Sequence, residues 1–347
     1  MPALVVVIPA HNEEIGITKT LLSLQSCNPS LSNQDIYVIA DNCTDNTAAV
    51  SEEMGVNVLV RVNEEERGKG YALNYAFSQL QALDKYDAFI IVDADTTVEA
   101  NFISSYQELF ASGADAGQCS YRVDQYQTNT RTRLMNIAFL GINHLRPLGR
   151  ERAGLSVGIL GNGFGLSANT LEEIPYDSYS IVEDLEYHLR LIRAGKKVEF
   201  LAHTAVYSEM PSTAKDAESQ RARWEGGRFK MIRQIAPKLC MEVARGKFRM
   251  LEPLLELLLL PLAYHFLFLL LLMVSAWFSG VGFLIYSLLA MMIFVLHIIV
   301  AMYLGGCDKF DVLALFKAPG YILWKVLKLG KIFKMSRDDA GWQRTKR

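Results

Sequence analysis

A chain of 347 residues has room for one large domain or two ordinary ones. Its 51% hydrophobic content and net charge of −2 hide an uneven layout: residues 1–211 carry 15 Lys and Arg against 27 Asp and Glu, whereas 212–250 and 305–347 each carry 10 against 4. Residues 257–304 contain no Asp, Glu, Lys or Arg, a run too long for a soluble core helix, so a purely soluble protein is excluded. The basic segments border this apolar run, which suits a membrane face rather than nucleic acid, and no nucleic-acid partner is expected. The five cysteines are odd in number, widely spaced and form no CxxC pair, which argues against a disulfide framework or zinc site and for a reducing compartment.

In chain order, residues 4–8 read as a buried strand ended by Pro9, followed by His11-Asn12-Glu13-Glu14 and helical spacing over 15–24. Residues 36–40 form a second strand closing on Asp41-Asn42-Cys43-Thr44-Asp45. A helix over 47–54 and a strand over 56–60 follow. A charged loop ends in Arg67-Gly68-Lys69-Gly70, and 71–83 is the next helix. The run Phe89-Ile90-Ile91-Val92 then reads as a strand buried on both faces, stopping at Asp93-Ala94-Asp95. This alternation predicts an α/β fold with a doubly wound, mostly parallel sheet and its ligand loops along one edge. A strand over 116–125, a helix over 131–145, a glycine-rich loop at Gly161-Asn162-Gly163-Phe164-Gly165 and a helix from Glu183-Asp184 to Ala194 complete the front region. Neither a GxxxxGK[ST] loop nor a GxGxxG after the first strand is present, which disfavours an ATPase or a dinucleotide dehydrogenase.

Beyond Pro211 the character changes. Residues 217–235 predict a basic helix that includes Gln220-Arg221-Ala222-Arg223-Trp224. Stretches 257–278 and 283–304 are each long enough to cross a bilayer, joined by Ser279-Gly280-Val281-Gly282. Flanking Arg245, Lys247, Arg249, Lys309 and Lys317 place both ends in the cytoplasm. No basic segment followed by an apolar leader opens the chain, so the front domain is expected on that same side. His265 and His297, inside the spans, read as histidines satisfied by a neighbouring helix. Residues 311–335 are amphipathic and are expected at the interface.

Asp93 and Asp95, read as strand residues, would share a face and suit Mg²⁺ or Mn²⁺; a solvated turn is the plainer alternative. Taken with the other motifs in their order, they resemble family 2 glycosyltransferases with the GT-A fold. The likeness is to the membrane-associated branch that includes cellulose, hyaluronan and poly-N-acetylglucosamine synthases and ceramide glucosyltransferases, over roughly residues 3–235. The resemblance implies a catalytic domain over 1–211, a basic interface segment over 212–250, a transmembrane hairpin over 251–306 and a basic tail over 307–347. It assigns Asp184 as catalytic base with Glu183 beside it. Pro9, Ala10, His11, Asn12, Glu14, Asp41, Lys69, Asp93, Ala94 and Arg223 fall to the nucleotide-sugar, and Gln220, Trp224, Asn162 and Gly163 to the acceptor. Asp93 and Asp95 fall to the metal, with Asp95 as the direct ligand. Ala40 departs from the pattern, because many relatives carry an acidic residue there, which loosens the inference to the base.

The implied activity is inverting transfer of a hexose or N-acetylhexosamine from a nucleotide-sugar, UDP-linked by preference, to a polyprenyl-diphosphate- or other lipid-linked glycan. The implied place is the cytoplasmic face of the cell membrane, in polysaccharide or exopolysaccharide assembly, with a homo-oligomer or export-machinery partner left open. A processive polysaccharide synthase is the alternative within the class, and a non-catalytic membrane scaffold subunit the alternative outside it.

Overall fold

The computed structural model describes residues 1–179, 182–210 and 214–327, with the side chains of 214–224 outside the description. The chain divides into two compact units, residues 1–124 with 147–209, and residues 125–146 with 210–347.

The first unit is built on one mixed, mostly parallel sheet. Its elements in order are β1 (Leu4–Ala10), α1 (Ile17–Gln25), β2 (Ile36–Asp41), α2 (Thr47–Glu53), β3 (Asn57–Arg61), α3 (Lys69–Gln81), β4 (Ala88–Ile91), β5 (Thr96–Val98) and α4 (Phe102–Ala111). β6 (Ala116–Asp124) follows directly; α5 (Thr130–Leu140) belongs to the second unit, and α6 (Arg146–Arg152) leads back into the first. β7 (Phe164–Ser167), α7 (Ala168–Glu173), α8 (Glu183–Arg193) and β8 (Val198–Glu209) complete it. The strand order is β3-β2-β1-β4-β7-β6-β8-β5. β3, β2, β1 and β4 run parallel, β7 is antiparallel to both its neighbours, and β8 is parallel to β6.

Alternation along β1 explains why the sheet is covered on both sides. Val6 and Ile8 pack with Leu21 and Leu24 of α1 and Phe102 and Tyr106 of α4. Val5 and Val7 pack with Leu73, Phe77 and Leu80 of α3 and Tyr187 and Leu191 of α8. The parallel strands therefore end along one edge, where the loops after β1, β2, β3 and β4 gather.

One expectation is corrected here. β4 ends at Ile91, and Asp93-Ala94-Asp95 forms a turn beyond it, so strand alternation does not place the two carboxylates on one face. The pairing partner on one side stops first: β7 begins at Phe164 opposite Ile91, so beyond that point only β1, which runs on to Ala10, lies alongside, and the chain turns.

The second unit is helical. α5 continues through a π-helical turn at Gly141–Leu145, and α9 (Ala214–Ala244), α10 (Leu251–Leu258), α11 (Leu262–Ser279), α12 (Val281–Leu304), α13 (Lys309–Leu315) and α14 (Ala318–Leu327) follow. α11 and α12 are long and apolar enough to cross a membrane, by length and composition. α11 starts later than the hydropathy alone predicts, because Pro261 caps it and separates it from α10. Gly280, at φ +110°, makes the turn between the two helices. The amphipathic segment predicted over 311–335 breaks at Phe316 into α13 and α14, and its end lies outside the described residues.

Buried ion pairs hold this unit together. Arg133 reaches Asp311, which is fully buried, at 2.7 Å and Asp308 at 2.9 Å. Lys325 of α14 pairs with Glu225 of α9, which also accepts from Tyr264 Oη at 3.0 Å. The Lys325 ammonium lies 4.5 Å from the centre of the Tyr264 ring.

Candidate active site

The loops after β1 and β2 are stitched together by the polar residues singled out in the sequence. His11 Nδ1 lies 2.8 Å from the Asp41 carbonyl oxygen, and Asn12 Oδ1 accepts from Thr44 N at 2.7 Å. Asn12 and Asn42 hold left-handed conformations (φ +57° and +50°), which asparagine tolerates better than most residues. Glu14 accepts from the backbone and side-chain nitrogens of Asn46 at 3.0 and 3.1 Å, so its carboxylate braces the second loop. Pro9 and Ala10 are the last two residues of β1, in register with Ile39 and Ala40.

Asp41 is buried at the end of β2 and pairs with Arg61 Nη1 at 2.7 Å. Arg61 closes β3 directly opposite Asp41 in the parallel register, and it also donates to the Glu66 carbonyl oxygen at 2.8 Å. Asn42 Nδ2 reaches the same Oδ1 of Asp41 at 3.1 Å, so both donors fall on one oxygen and Oδ2 is left to a ligand or solvent. Sequence reasoning missed Arg61, although a lone arginine ending the apolar run Val58-Leu59-Val60 is a visible signal. The stacked rings of Tyr71 and Tyr179, 4.3 Å apart, were missed as well, since nothing local in sequence joins them.

The centre of the site is the turn after β4. Lys69, at the start of α3, pairs with Asp93 Oδ1 and donates to the Gly161 carbonyl oxygen. The Lys69 and Asp93 side chains keep 24% and 33% of their surface exposed, enough for a ligand to reach them. Asn162 holds the turn from beneath: its Oδ1 accepts from Asp93 N at 3.0 Å and its Nδ2 donates to Thr96 Oγ1 at 2.9 Å. Asn162 is almost fully buried, and the Gly163 carbonyl accepts from Tyr106 Oη at 2.8 Å, so both sit behind the site rather than on its open side. Ala94 is buried, and its carbonyl accepts from Thr20 Oγ1 at 2.8 Å. Asp95 sits beside the start of α1; a Cβ on Gly16 would stand 3.7 Å from the Asp95 Cβ.

Gly161, at φ +78°, brings the base candidate to the same place: a Cβ added there would lie 3.2 Å from Asp184 Oδ2. Asp184 opens α8, and its Oδ1 accepts from Leu185 N at 2.8 Å. Burial raises the Asp184 carboxyl above its ordinary value, with the Leu185 N–H and the Lys69 charge opposing. Glu183 is pushed up to about 8 by burial and then by the Asp184 charge, again opposed by Lys69. The adjacent carboxyls therefore titrate as a pair, both raised by burial and both opposed by the Lys69 charge. Burial alone would lower Lys69, but Asp93 and Glu183 outweigh it and raise the ammonium above its usual range. The structure therefore brings together Lys69, Asp93, Gly161, Glu183 and Asp184. Gln220, Arg223 and Trp224 lie on the backbone of α9, with side chains outside the described residues.

Among the described residues no group of three or more His, Cys, Asp or Glu could enclose a metal ion. The donor set at the turn is two carboxylates one residue apart, with Asp93 already engaged by Lys69. Such a set fits a hard divalent cation that takes its remaining oxygens from a bound diphosphate and water.

Residues 2–227 match the model of the family described as glycosyltransferase like family 2. A probable glycosyltransferase of Bacillus subtilis, YdaM, is 25% identical over 248 residues, covering 68% of this chain and 58% of that protein. A beta-monoglucosyldiacylglycerol synthase of Synechocystis is 27% identical over 234 residues, covering 65% of this chain and 48% of that protein. The chain spans about half the length of the curated relatives it matches. Among solved structures, the mannosyltransferase PcManGT from Pyrobaculum calidifontis in complex with GDP-Man and Mn²⁺ is 16% identical, with a TM-score of 0.48 over 89% of this chain and 88% of that one. The family match takes in the whole parallel half of the sheet together with Lys69, Asp93, Asp95, Glu183 and Asp184, and the chain belongs to glycosyltransferase family 2, with its GT-A fold.

Proposed function

We propose that this protein is a membrane-anchored, inverting glycosyltransferase that moves a hexose or N-acetylhexosamine from a UDP-sugar to a lipid-borne acceptor at the cytoplasmic face. The observation that carries this reading is the meeting of Lys69, Asp93, Gly161, Glu183 and Asp184 at one end of the sheet.

Asp184 takes the proton of the acceptor hydroxyl as it attacks the anomeric carbon, a role that its raised basicity supports. Attack from the side opposite the nucleotide turns an α-linked donor into a β-linked product. Glu183, raised by burial and by the Asp184 charge, stands beside the base. Asp41, steadied by Arg61, receives the imide N–H of the base through its remaining oxygen. The loop residues Pro9, Ala10, His11, Asn12 and Glu14 frame the nucleoside. Asp95 and Asp93 would hold Mg²⁺ or Mn²⁺, which supplies charge neutralisation for the departing diphosphate. Lys69 orients Asp93 and adds a positive charge on that side, and Arg223 would add another from α9. Gln220 and Trp224 would meet the acceptor.

The apolar helices α11 and α12 support anchoring, and the relatives named for making a glucosylated diacylglycerol support a lipid acceptor. Among the described residues there is one hairpin of span-length helices, too little to wall a polymer channel, which favours single transfer over processive synthesis.

The test is to incubate purified protein with a panel of radiolabelled nucleotide-sugars, Mn²⁺ and a membrane lipid extract. Transfer or donor hydrolysis by the wild type, lost in Asp184→Asn, is the expected result. Absence of both across the panel, with Asp184→Asn behaving identically, sinks the reading. Product length separates single transfer from polymerisation.

A further inference from the structure

Ahead of Asp184, residues 174–179 belong to no helix or strand, yet they alternate between buried and exposed. Ile174, Tyr176 and Ser178 face inward, and Pro175, Asp177 and Tyr179 face outward. The inner side is tied to α8. The Tyr176 ring lies 4.5 Å from that of Tyr187, one turn beyond Glu183, and Tyr187 Oη donates to the Ile174 carbonyl oxygen at 2.7 Å. The same segment is tied to α3. Asn74 Nδ2 donates to the Tyr176 carbonyl oxygen at 3.1 Å, and a Cβ on Gly70 would collide with the Ser178 carbonyl oxygen.

The outer side ends in the Tyr71–Tyr179 stack, with 15° between the ring planes. Tyr179 is 43% exposed, so burial gains it little and the stack mainly fixes where the segment lies. Tyr71 is also 5.9 Å, at its ring centre, from the guanidinium carbon of Arg61, so its position is set from a second side. The segment's own hydroxyls do not hold it: Tyr176 Oη and Ser178 Oγ are buried and make no hydrogen bond among the described residues. Such idle groups cost stability, and the contacts with α3 and α8 offset that cost. Those two helices begin with the residues that meet at the candidate site, Lys69 on α3 and Glu183 with Asp184 on α8.

We propose that Tyr71 and Tyr179 are positioning residues, whose stack fixes the start of α8 against the start of α3 and so holds Asp184 at its working distance from Lys69 and Asp93. Four residues separate Tyr179 from Glu183, at most roughly 14 Å of chain, so a shift of the ring is passed on to the helix start. A general base tolerates little such displacement, because proton transfer needs hydrogen-bond reach. This inference rests on Asp184 as the base in the reading above and adds two residues that act through it.

The test uses the full 347-residue chain in detergent, as wild type, Tyr179→Ala, Tyr179→Phe and Tyr71→Phe. It measures kcat, acceptor KM, UDP affinity by calorimetry, and amide hydrogen exchange of peptides across residues 174–189. Tyr179→Ala should lower kcat by about 10–10²-fold, the scale of a misplaced reacting group, with acceptor KM and UDP affinity unchanged. Exchange across 174–189 should quicken by about two- to tenfold, the scale of one lost aromatic pair. Both Phe variants should match the wild type, because the ring suffices and Tyr179 Oη reaches Asp177 only at 3.4 Å. A thermal melt accompanies each variant; if Tyr179→Ala fails to fold, Tyr179→Leu, which keeps bulk without a flat ring, takes its place with the same expectations. An unchanged kcat in Tyr179→Ala, or a Phe variant as impaired as the Ala variant, overturns the proposal. So does lost UDP affinity at unchanged kcat, which gives the stack to the nucleotide. The exchange arm contains neither donor nor acceptor. A wild type that transfers no sugar therefore removes the reading of Asp184, whereas unchanged exchange in Tyr179→Ala overturns the positioning itself.

Discussion

The two units handle charge in opposite ways. In the sheet unit the interior is apolar, and charged side chains collect at the strand ends, where Arg61 meets Asp41 and Lys69 meets Asp93. In the helical unit the ion pairs lie inside the packing itself, as with Arg133 and Asp311 or Lys325 and Glu225. A buried pair adds little net stability over a well-packed apolar one, but it fixes which helix faces which. Charges at the strand ends are therefore free to serve a ligand, whereas those between helices serve registry.

Asp184→Asn tests the first half of that contrast most severely. Turnover should fall by about 10²–10⁴-fold while UDP affinity, measured by calorimetry, stays within error, because a general base acts on the acceptor and not on the nucleotide. Next in size is Lys325→Met, which leaves the Glu225 charge without its ammonium partner. Thermal or denaturant unfolding in detergent should show a loss of about 3–5 kcal/mol, and Glu225→Leu in the same chain should restore most of it. If the single change proves harmless, charge inside the helices is not what sets their registry.

Arg61→Met should cost about tenfold in UDP affinity, the scale of one lost charge-assisted hydrogen bond. It should also narrow the preference for UDP over GDP. With Oδ1 of Asp41 taken by Arg61 and Asn42, one oxygen remains, enough for the single imide N–H of uracil; guanine presents two adjacent donors and needs both. The smallest effect is on pH. A carboxyl raised in the folded state carries no penalty below its unfolded value and a growing one as pH rises through its folded value. Glu183 should therefore erode thermal stability between about pH 4.5 and about 8, and Glu183→Gln should flatten that slope in melts across the range.

The parallel half of the sheet was legible because each strand is a short apolar run closed by a polar cluster, as in β1, β2 and β4. The loops after β1 and β2 and the base candidate Asp184 stood out because their residue types fall in a family order. The turn geometry of Asp93 and Asp95 was not, because it depends on where β7 stops pairing with β4, a partner more than 70 residues away. Asn162, in the glycine-rich loop, was assigned to the acceptor; its three side-chain hydrogen bonds, to Asp93 N, Thr96 Oγ1 and Ser208 Oγ, follow from long-range packing. Arg61 and Asp41 are invisible as a pair until the register of β2 and β3 is known. The π-turn beside His297 leaves no mark in the helical periodicity of 131–145, because it inserts one residue without altering composition.

Gly161 has no functional group, yet it offers its oxygen to Lys69 and leaves its α-carbon bare beside Asp184. Its backbone angle strains any side chain placed there, and a Cβ would press on the Asp184 carboxylate. Descendants of this chain that exchange one sugar or one acceptor for another can rewrite the outer loops residue by residue. Position 161 gives them no such latitude, so selection should hold this glycine as firmly as the acids that it separates.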